Sequence, residues 1–123
     1  MDLVTLFQSS ANIQSFSDGD TIFQQGDAGE ISYILVKGQV DIQVNRQSIY
    51  VATPGEMLGI MALIDEKPRS ATAIALGDSQ LVPLSKKDFL FLVQETPYFA
   101  LDIMKMLCEW LRLMDAKVKN KSS

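Results

Sequence analysis

The sequence predicts a mainly β fold with flanking helices: an antiparallel sandwich or barrel, preceded by a short helix and followed by two more. Three observations carry this. Turn signals recur at short intervals up to residue 84, the runs between them are short and rich in β-formers, and at Ser85 the pattern changes to helical periodicity.

Leu3, Val4, Leu6 and Phe7 suggest a short amphipathic N-terminal helix within residues 1–10, ending near Ser9. Turns are then expected at Ser17-Asp18-Gly19-Asp20, Gly26-Asp27-Ala28-Gly29, Lys37-Gly38, Asn45-Arg46-Gln47, Thr53-Pro54-Gly55 and Gly77-Asp78. They separate predicted strands at Ile13–Phe16, Thr21–Phe23, Ile31–Val36, Val40–Val44, Ile49–Ala52, Ser70–Ala75 and Gln80–Leu84. Val40, Ile42 and Val44 alternate with Asp41 and Gln43, as in a strand with one buried face. Residues 12–84 thus form the β unit, and many short strands at this spacing argue for an antiparallel arrangement.

The C-terminal helices are expected over residues 85–119. Ser85 is a good N-cap, with Asp88 three residues on adding negative charge to the first turn. Thr96 and Pro97 open the second helix, since proline suits its first position. That helix carries a polar stripe, Asp102, Lys105, Glu109 and Arg112, and two apolar ones. Ala100, Ile103, Leu107, Trp110 and Met114 form the first; Leu101, Met104, Cys108 and Leu111 form the second. Packing against the β unit needs one stripe, so the second asks for a further subunit, a ligand beneath the helix, or a deeply seated helix.

A chain of 123 residues has room for a single core. It is 47% hydrophobic and 21% charged, ordinary for a soluble domain, so a cytoplasmic location is expected. No apolar run approaches the roughly 20 residues of a membrane span, and MDLVTLFQSS has no basic region of the secretory kind. The lone Cys108 cannot form an internal disulfide and is expected to be a buried structural thiol. The absence of histidine removes Ser-His-Asp and Cys-His catalysis and imidazole metal sites. No metal, no catalytic residue and no enzymatic activity are therefore expected, and a cupin-type metalloenzyme is excluded. Residues 1–84 carry four Lys/Arg against ten Asp/Glu, so this body would repel nucleic acid. The basic end, Lys117, Lys119 and Lys121, reads as a solvated tail.

The chemically informative stretch is Pro54–Ala75, PGEMLGIMALIDEKPRSATAIA. Gly59 leads a short apolar turn ten residues before Arg69. A glycine feeding a helix presents free N–H groups to an anion, and a guanidinium nearby would grip the same anion bidentately. Arg69 alone, after Lys67-Pro68 in a loop, also reads as a solvated surface charge.

Taken together, Gly19-Asp20-Thr21-Ile22-Phe23-Gln24-Gln25-Gly26-Asp27, Gly38-Gln39-Val40 and Gly59…Pro68-Arg69-Ser70-Ala71 resemble the cyclic nucleotide-binding domain of catabolite-activator-like regulators, cAMP-dependent kinase regulatory subunits and cyclic nucleotide-gated channels. The resemblance extends from Leu3 to about Asp115. It implies an eight-stranded antiparallel β jelly roll (a double-stranded β-helix), followed by the helices, with a phosphate cassette over residues 59–71. Gly59 would open the cassette helix, Ile60, Met61, Ala62 and Leu63 would continue it, Arg69 would hold the cyclic phosphate, and Ser70 and Ala71 would start the strand behind. Val44 and Tyr50 would line the base side. One position departs from the family. Where the family carries Gly-Glu, this chain has Gly59-Ile60, and Ile60 cannot accept the hydrogen bond of the ribose 2′-hydroxyl. A buried hydroxyl without a partner costs about 1–3 kcal/mol. Glu56 stands four residues before that position, about 13 Å in extended chain, and is not expected to replace it.

Two functions follow. The first is a stand-alone sensor that binds cAMP or cGMP and passes its signal through the C-terminal helix. The second is a degenerate module that binds no cyclic nucleotide and acts through that helix as a protein-interaction or dimerisation domain. In either case the expected partner is another protein or a second copy of the chain, since no effector segment follows and neither nucleic acid nor membrane is engaged directly.

Overall fold

Two 14-residue strands organise the β unit. The computed structural model describes residues 3–7 and 12–121, leaving the expected helix end near Ser9 and the side chains of Lys117, Lys119 and Lys121 outside the described residues. The elements are α1 (Leu3–Phe7), β1 (Gln14–Phe16), β2 (Thr21–Phe23), β3 (Ile31–Val44), β4 (Gln47–Ala52), β5 (Met57–Leu58), α2 (Ile60–Asp65), β6 (Thr72–Ser85), α3 (Lys86–Glu95) and α4 (Pro97–Lys121). All strand pairs are antiparallel, and the sheet runs β1-β6-β3-β4 with β2 added to β6 and β5 to β3.

The mainly antiparallel fold with C-terminal helices is as predicted, but the strand count and closure are not. Lys37-Gly38 and Gly77-Asp78 do not end strands. They are facing irregularities inside β3 and β6, where the register shifts between Leu35, Lys37 and Gln39. Each long strand supplies two expected strands, so among the described residues six are formed where eight were implied, and their pairing path does not close into a ring. The physical reason is the backbone at Gly38 and Gly77, whose φ of 95° and 72° bends a strand without breaking its ladder. β5 was not foreseen, because two residues after a Pro-Gly turn carry no periodicity.

Local chemistry accounts for the other boundaries. Asn45 and Arg46 both take positive φ, 52° and 68°, giving a tight β3–β4 turn. Asn45 is held by Gln25, whose Oε1 accepts the Asn45 N–H while its Nε2 donates to Asn45 Oδ1. Glu56 secures the turn before β5: Tyr50 donates to its Oε1 at 2.5 Å, and the Thr53 N–H and hydroxyl donate to its Oε2 at 2.6 and 3.2 Å. Ser85 caps the helix as expected, and Asp88 returns the bond, which was not foreseen: Asp88 N–H donates to Ser85 Oγ and Ser85 N–H to Asp88 Oδ2, both at 3.1 Å.

The contacts group into two compact units that divide between Phe89 and Leu90. The core of the first contains Ile34, Leu35, Val40, Ala52, Ala73, Ala75 and Leu81, all fully buried. Here α1 and α2 pack on β3. In the second unit Phe99 and Ile103 are buried. The two apolar stripes of α4 behave differently: Ala100, Leu107, Trp110 and Met114 are half-buried, whereas Leu101, Met104, Cys108 and Leu111 are exposed. Cys108 is thus corrected from a buried to an exposed thiol, because it lies on the outer stripe.

One exposed ion pair ties the end of α2 to the start of α3. Lys86 Nζ lies 2.7 Å from Glu66 Oε1, and this hydrogen bond and charge hold the Glu66 carboxyl below the ordinary carboxylate range. A depressed carboxyl stabilises the fold above its unfolded-state pKa, and that contribution disappears as pH falls through the folded-state value. We expect Lys86→Met to return Glu66 to the ordinary range in an NMR titration of its side-chain carboxyl. An unchanged titration would mean that Lys86 does not set it. With side-chain exposures of 49% and 74%, stability at neutral pH should barely move.

Candidate functional site

The site is built around Arg69, which is only 6% exposed. This disposes of the surface-charge reading. The segment before β6 is pinned to the β2–β3 loop by two backbone bonds, Arg69 N–H to Asp27 O at 2.8 Å and Gly26 N–H to Arg69 O at 2.9 Å. The Gly26-Asp27 turn therefore fixes where the arginine leaves the chain.

The guanidinium is anchored on one side and uncommitted on the other. Nη1 donates to Gly59 O at 3.2 Å, and Nη2 donates to Ile31 O. Its carbon sits 4.2 Å from the centre of the Phe23 ring, which in turn stacks on Tyr33 at 6.2 Å with 23° between planes. This cation–π contact is worth about 0.5–2 kcal/mol. Nε is buried and has no hydrogen-bond partner. Burial lowers the Arg69 pKa from the ordinary arginine range, and Tyr33 and Asp27 partly oppose that shift. An arginine remains charged under such conditions, so a cation is held here with one buried N–H unpaired.

Two glycines make this approach possible. A Cβ on Gly59 would lie 2.1 Å from Arg69 Nη1, and φ there is 75°. A Cβ on Gly29 would lie 2.3 Å from the Cβ of Ala62 and 3.2 Å from Arg69 Nε. Gly29 thus lets α2 and Arg69 share the space beneath the β2–β3 loop, and Ala62 is small for the same reason.

Arg69 lines a cavity of about 400 Å³ together with Ile22, Phe23, Asp27, Ala28, Glu30, Ile31 and Tyr33. Of the seven residues expected at the site, only Arg69 is in this wall. Gly59 supplies a carbonyl to the arginine and caps α2 in a left-handed conformation. Ile60 and Ala62 are buried, at 4% and 7% exposure, whereas Met61 is 51% exposed. Ser70 and Ala71 precede β6, which begins at Thr72. Val44 and Tyr50 are not in the wall, and Tyr50 is bonded to Glu56. The α2 helix is six residues long.

The β2–β3 loop was missed as a wall. Its signal was present in the Gly26-Asp27-Ala28-Gly29-Glu30 run, but a loop's contact with Arg69, some 40 residues away, has no periodicity to betray it. Among the described residues no cluster of three or more metal-ligating side chains occurs, and no helix is long and apolar enough to cross a membrane.

Comparison with known proteins places these features. The family model described as the cyclic nucleotide-binding domain matches residues 13–96. The cyclic AMP receptor protein of Thermus thermophilus is 32% identical over 108 residues, covering 84% of this chain and 50% of that protein. The crystal structure of Thermus thermophilus catabolite activator protein superimposes with a TM-score of 0.79 at 31% identity, covering 89% of this chain and 54% of that one. A cAMP-bound PfPKA-R structure (residues 141–441) gives a TM-score of 0.72 at 27% identity, covering 85% of this chain and 36% of that one. The chain thus spans between about a third and a little over half of the length of these relatives: 50%, 54% and 36%.

Proposed function

The chain belongs to the cyclic nucleotide-binding domain family, a regulatory rather than catalytic domain, and from that premise we propose that it senses cAMP or cGMP through Arg69. The observation that carries the ligand is the buried Nε of Arg69, which faces no acceptor while the other side of the guanidinium is held by Gly59 O, Ile31 O and the Phe23 ring. A cyclic phosphate supplies acceptors for it in bidentate geometry. The cavity is of the size that small-molecule sites occupy, roughly 300–1,000 Å³. Binding would then bias the C-terminal helix between packings, by no more than the ligand's differential affinity for them. A protein partner or a second copy would read that helix.

Ile60 favours a second reading, a module that no longer binds cyclic nucleotides. Its side chain is core, 4% exposed and absent from the cavity wall, so it gives the ribose nothing. Calorimetric titration with cAMP and with cGMP separates the two. The sensor reading expects saturable heat at micromolar to low-millimolar ligand, with inorganic phosphate and 5′-AMP much weaker. Absence of heat up to millimolar cyclic nucleotide would establish the degenerate reading instead.

A further inference from the structure

Two aromatic side chains of the β unit are turned toward one arginine. Phe23 ends β2 and Tyr33 is the third residue of β3, both half-buried. The Arg69 guanidinium carbon lies 4.2 Å from the centre of the Phe23 ring, and Tyr33 stacks on Phe23 at 6.2 Å with 23° between the planes. Three features of the fold bring Phe23 there. The ladder slips at its position: Thr21 faces Ile74 on β6 but Phe23 faces Ala73, so β2 advances two residues while β6 advances one. A bulge of this kind bends its strand and re-aims a side chain. Gly59 leaves the room, since a Cβ there would stand 3.3 Å from Phe23 Cε2 as well as 2.1 Å from Arg69 Nη1. Tyr33 shares β3 with Ile31, whose carbonyl takes Nη2, so one strand supplies both the backing ring and an acceptor for the cation.

The carbonyls and the ring constrain different motions. A guanidinium is planar and donates within its plane, so Gly59 O and Ile31 O fix its reach and direction. Neither carbonyl resists a tilt about the line through those two bonds. The ring does, because the attraction of a cation to a π face weakens as the cation slides or tilts off it. An aliphatic side chain of similar size would fill the space without that attraction. The buried Nε–H lies in the same plane. Whatever fixes the plane therefore fixes the line along which an acceptor reaches that donor.

We propose that Phe23, turned by the β2 bulge and backed by Tyr33, is a positioning residue: it holds the plane of the Arg69 guanidinium and so sets the direction from which an anionic ligand meets the Nε–H. With one face covered by the ring, the ligand's oxygens arrive edge-on, the approach that bidentate pairing to a guanidinium uses. This deepens the cyclic nucleotide reading above and rests on it for the identity of the ligand.

The test sets Phe23→Leu, which keeps most of the volume, and Phe23→Tyr, which keeps the ring, beside wild type, with folding of all three checked by thermal melting. The first readout needs no ligand. The π electrons of a ring shift protons held against its face upfield. The Arg69 Nε–H cross-peak, assigned by its loss in Arg69→Lys, should therefore lie upfield of those of Arg46 and Arg112 in wild type and in Phe23→Tyr. In Phe23→Leu it should move toward them. The second readout is calorimetric titration with cAMP. Phe23→Leu should weaken binding about three- to tenfold, the scale of a desolvated cation–π contact, and Phe23→Tyr should stay within about twofold of wild type. A lower melting temperature in Phe23→Leu, with resonance and affinity both at wild-type values, would reduce Phe23 to packing and overturn the proposal. Equal weakening by Phe23→Tyr and Phe23→Leu would overturn it too, since the ring would not be what matters. A wild type that binds no cyclic nucleotide defeats the sensor reading, and the resonance then decides by itself. A cross-peak that moves in Phe23→Leu and not in Phe23→Tyr upholds the positioning of the guanidinium; one that stays in both overturns it.

Discussion

Arg69→Ala should lower cyclic nucleotide affinity by about a hundredfold or more while leaving a folded protein. Two charge-assisted hydrogen bonds to a phosphate oxygen pair, at about 1.5–3 kcal/mol each, set that scale. Arg69→Lys should recover little of the loss. An ammonium is a point charge without the planar fork, so it cannot donate to Gly59 O and Ile31 O, stack on Phe23 and still present an edge to the ligand. The fold should be weakened in both variants, because two carbonyls lose their donor, yet a desolvated charge is removed at the same time. Calorimetry together with circular dichroism separates binding from folding. Ligand affinity within a few-fold of wild type in Arg69→Ala would show that the phosphate is held elsewhere.

The parts of this site that the sequence disclosed were those whose chemistry is local. Gly59 and Arg69 stand out because each is chemically unusual in an apolar or turn-rich setting, and Ser85 caps its helix as its residue type suggested. What stayed hidden was long-range. Nothing in Phe23 or Tyr33 announces that one ring lies under a guanidinium 46 residues later in the chain, or that Gly29 must lack a Cβ because Ala62 lies above it. The same limit explains the strands. Lys37-Gly38 and Gly77-Asp78 carry the residues of turns, and only their pairing across β3 and β6 makes them bulges. Ile60 shows the converse case: its departure from the family pattern was plain in the sequence, but its burial, at 4% exposure and away from the cavity wall, required the fold.

The facing bulges give the second large effect, on stability rather than binding. Gly38→Ala should destabilise the chain by about 2–5 kcal/mol, against a net stability of about 5–15 kcal/mol for a domain of this kind. Two costs add. At φ 95° an L side chain is strained by about 1–2 kcal/mol. The new Cβ would also stand 2.3 Å from Ser79 Oγ, 2.7 Å from Asp78 O and 2.8 Å from Ser79 Cα, and two of these belong to backbone that cannot rotate away. Ser79 itself is 1% exposed and donates to Gln39 O or Gly77 O at 3.1 Å, so displacing it strips a buried hydroxyl of its acceptor. Gly77→Ala is the internal control. Its φ of 72° imposes a similar strain, but nothing lies within 4 Å of its added Cβ, so about 1–2 kcal/mol is expected. Urea denaturation of the two variants beside wild type measures the difference. Equal midpoints would mean that the clash relaxes without cost and that backbone conformation alone fixes Gly38; a Gly38→Ala midpoint well below that of Gly77→Ala locates the demand in the contact between the two long strands, where the bend that carries β3 and β6 around the core is made.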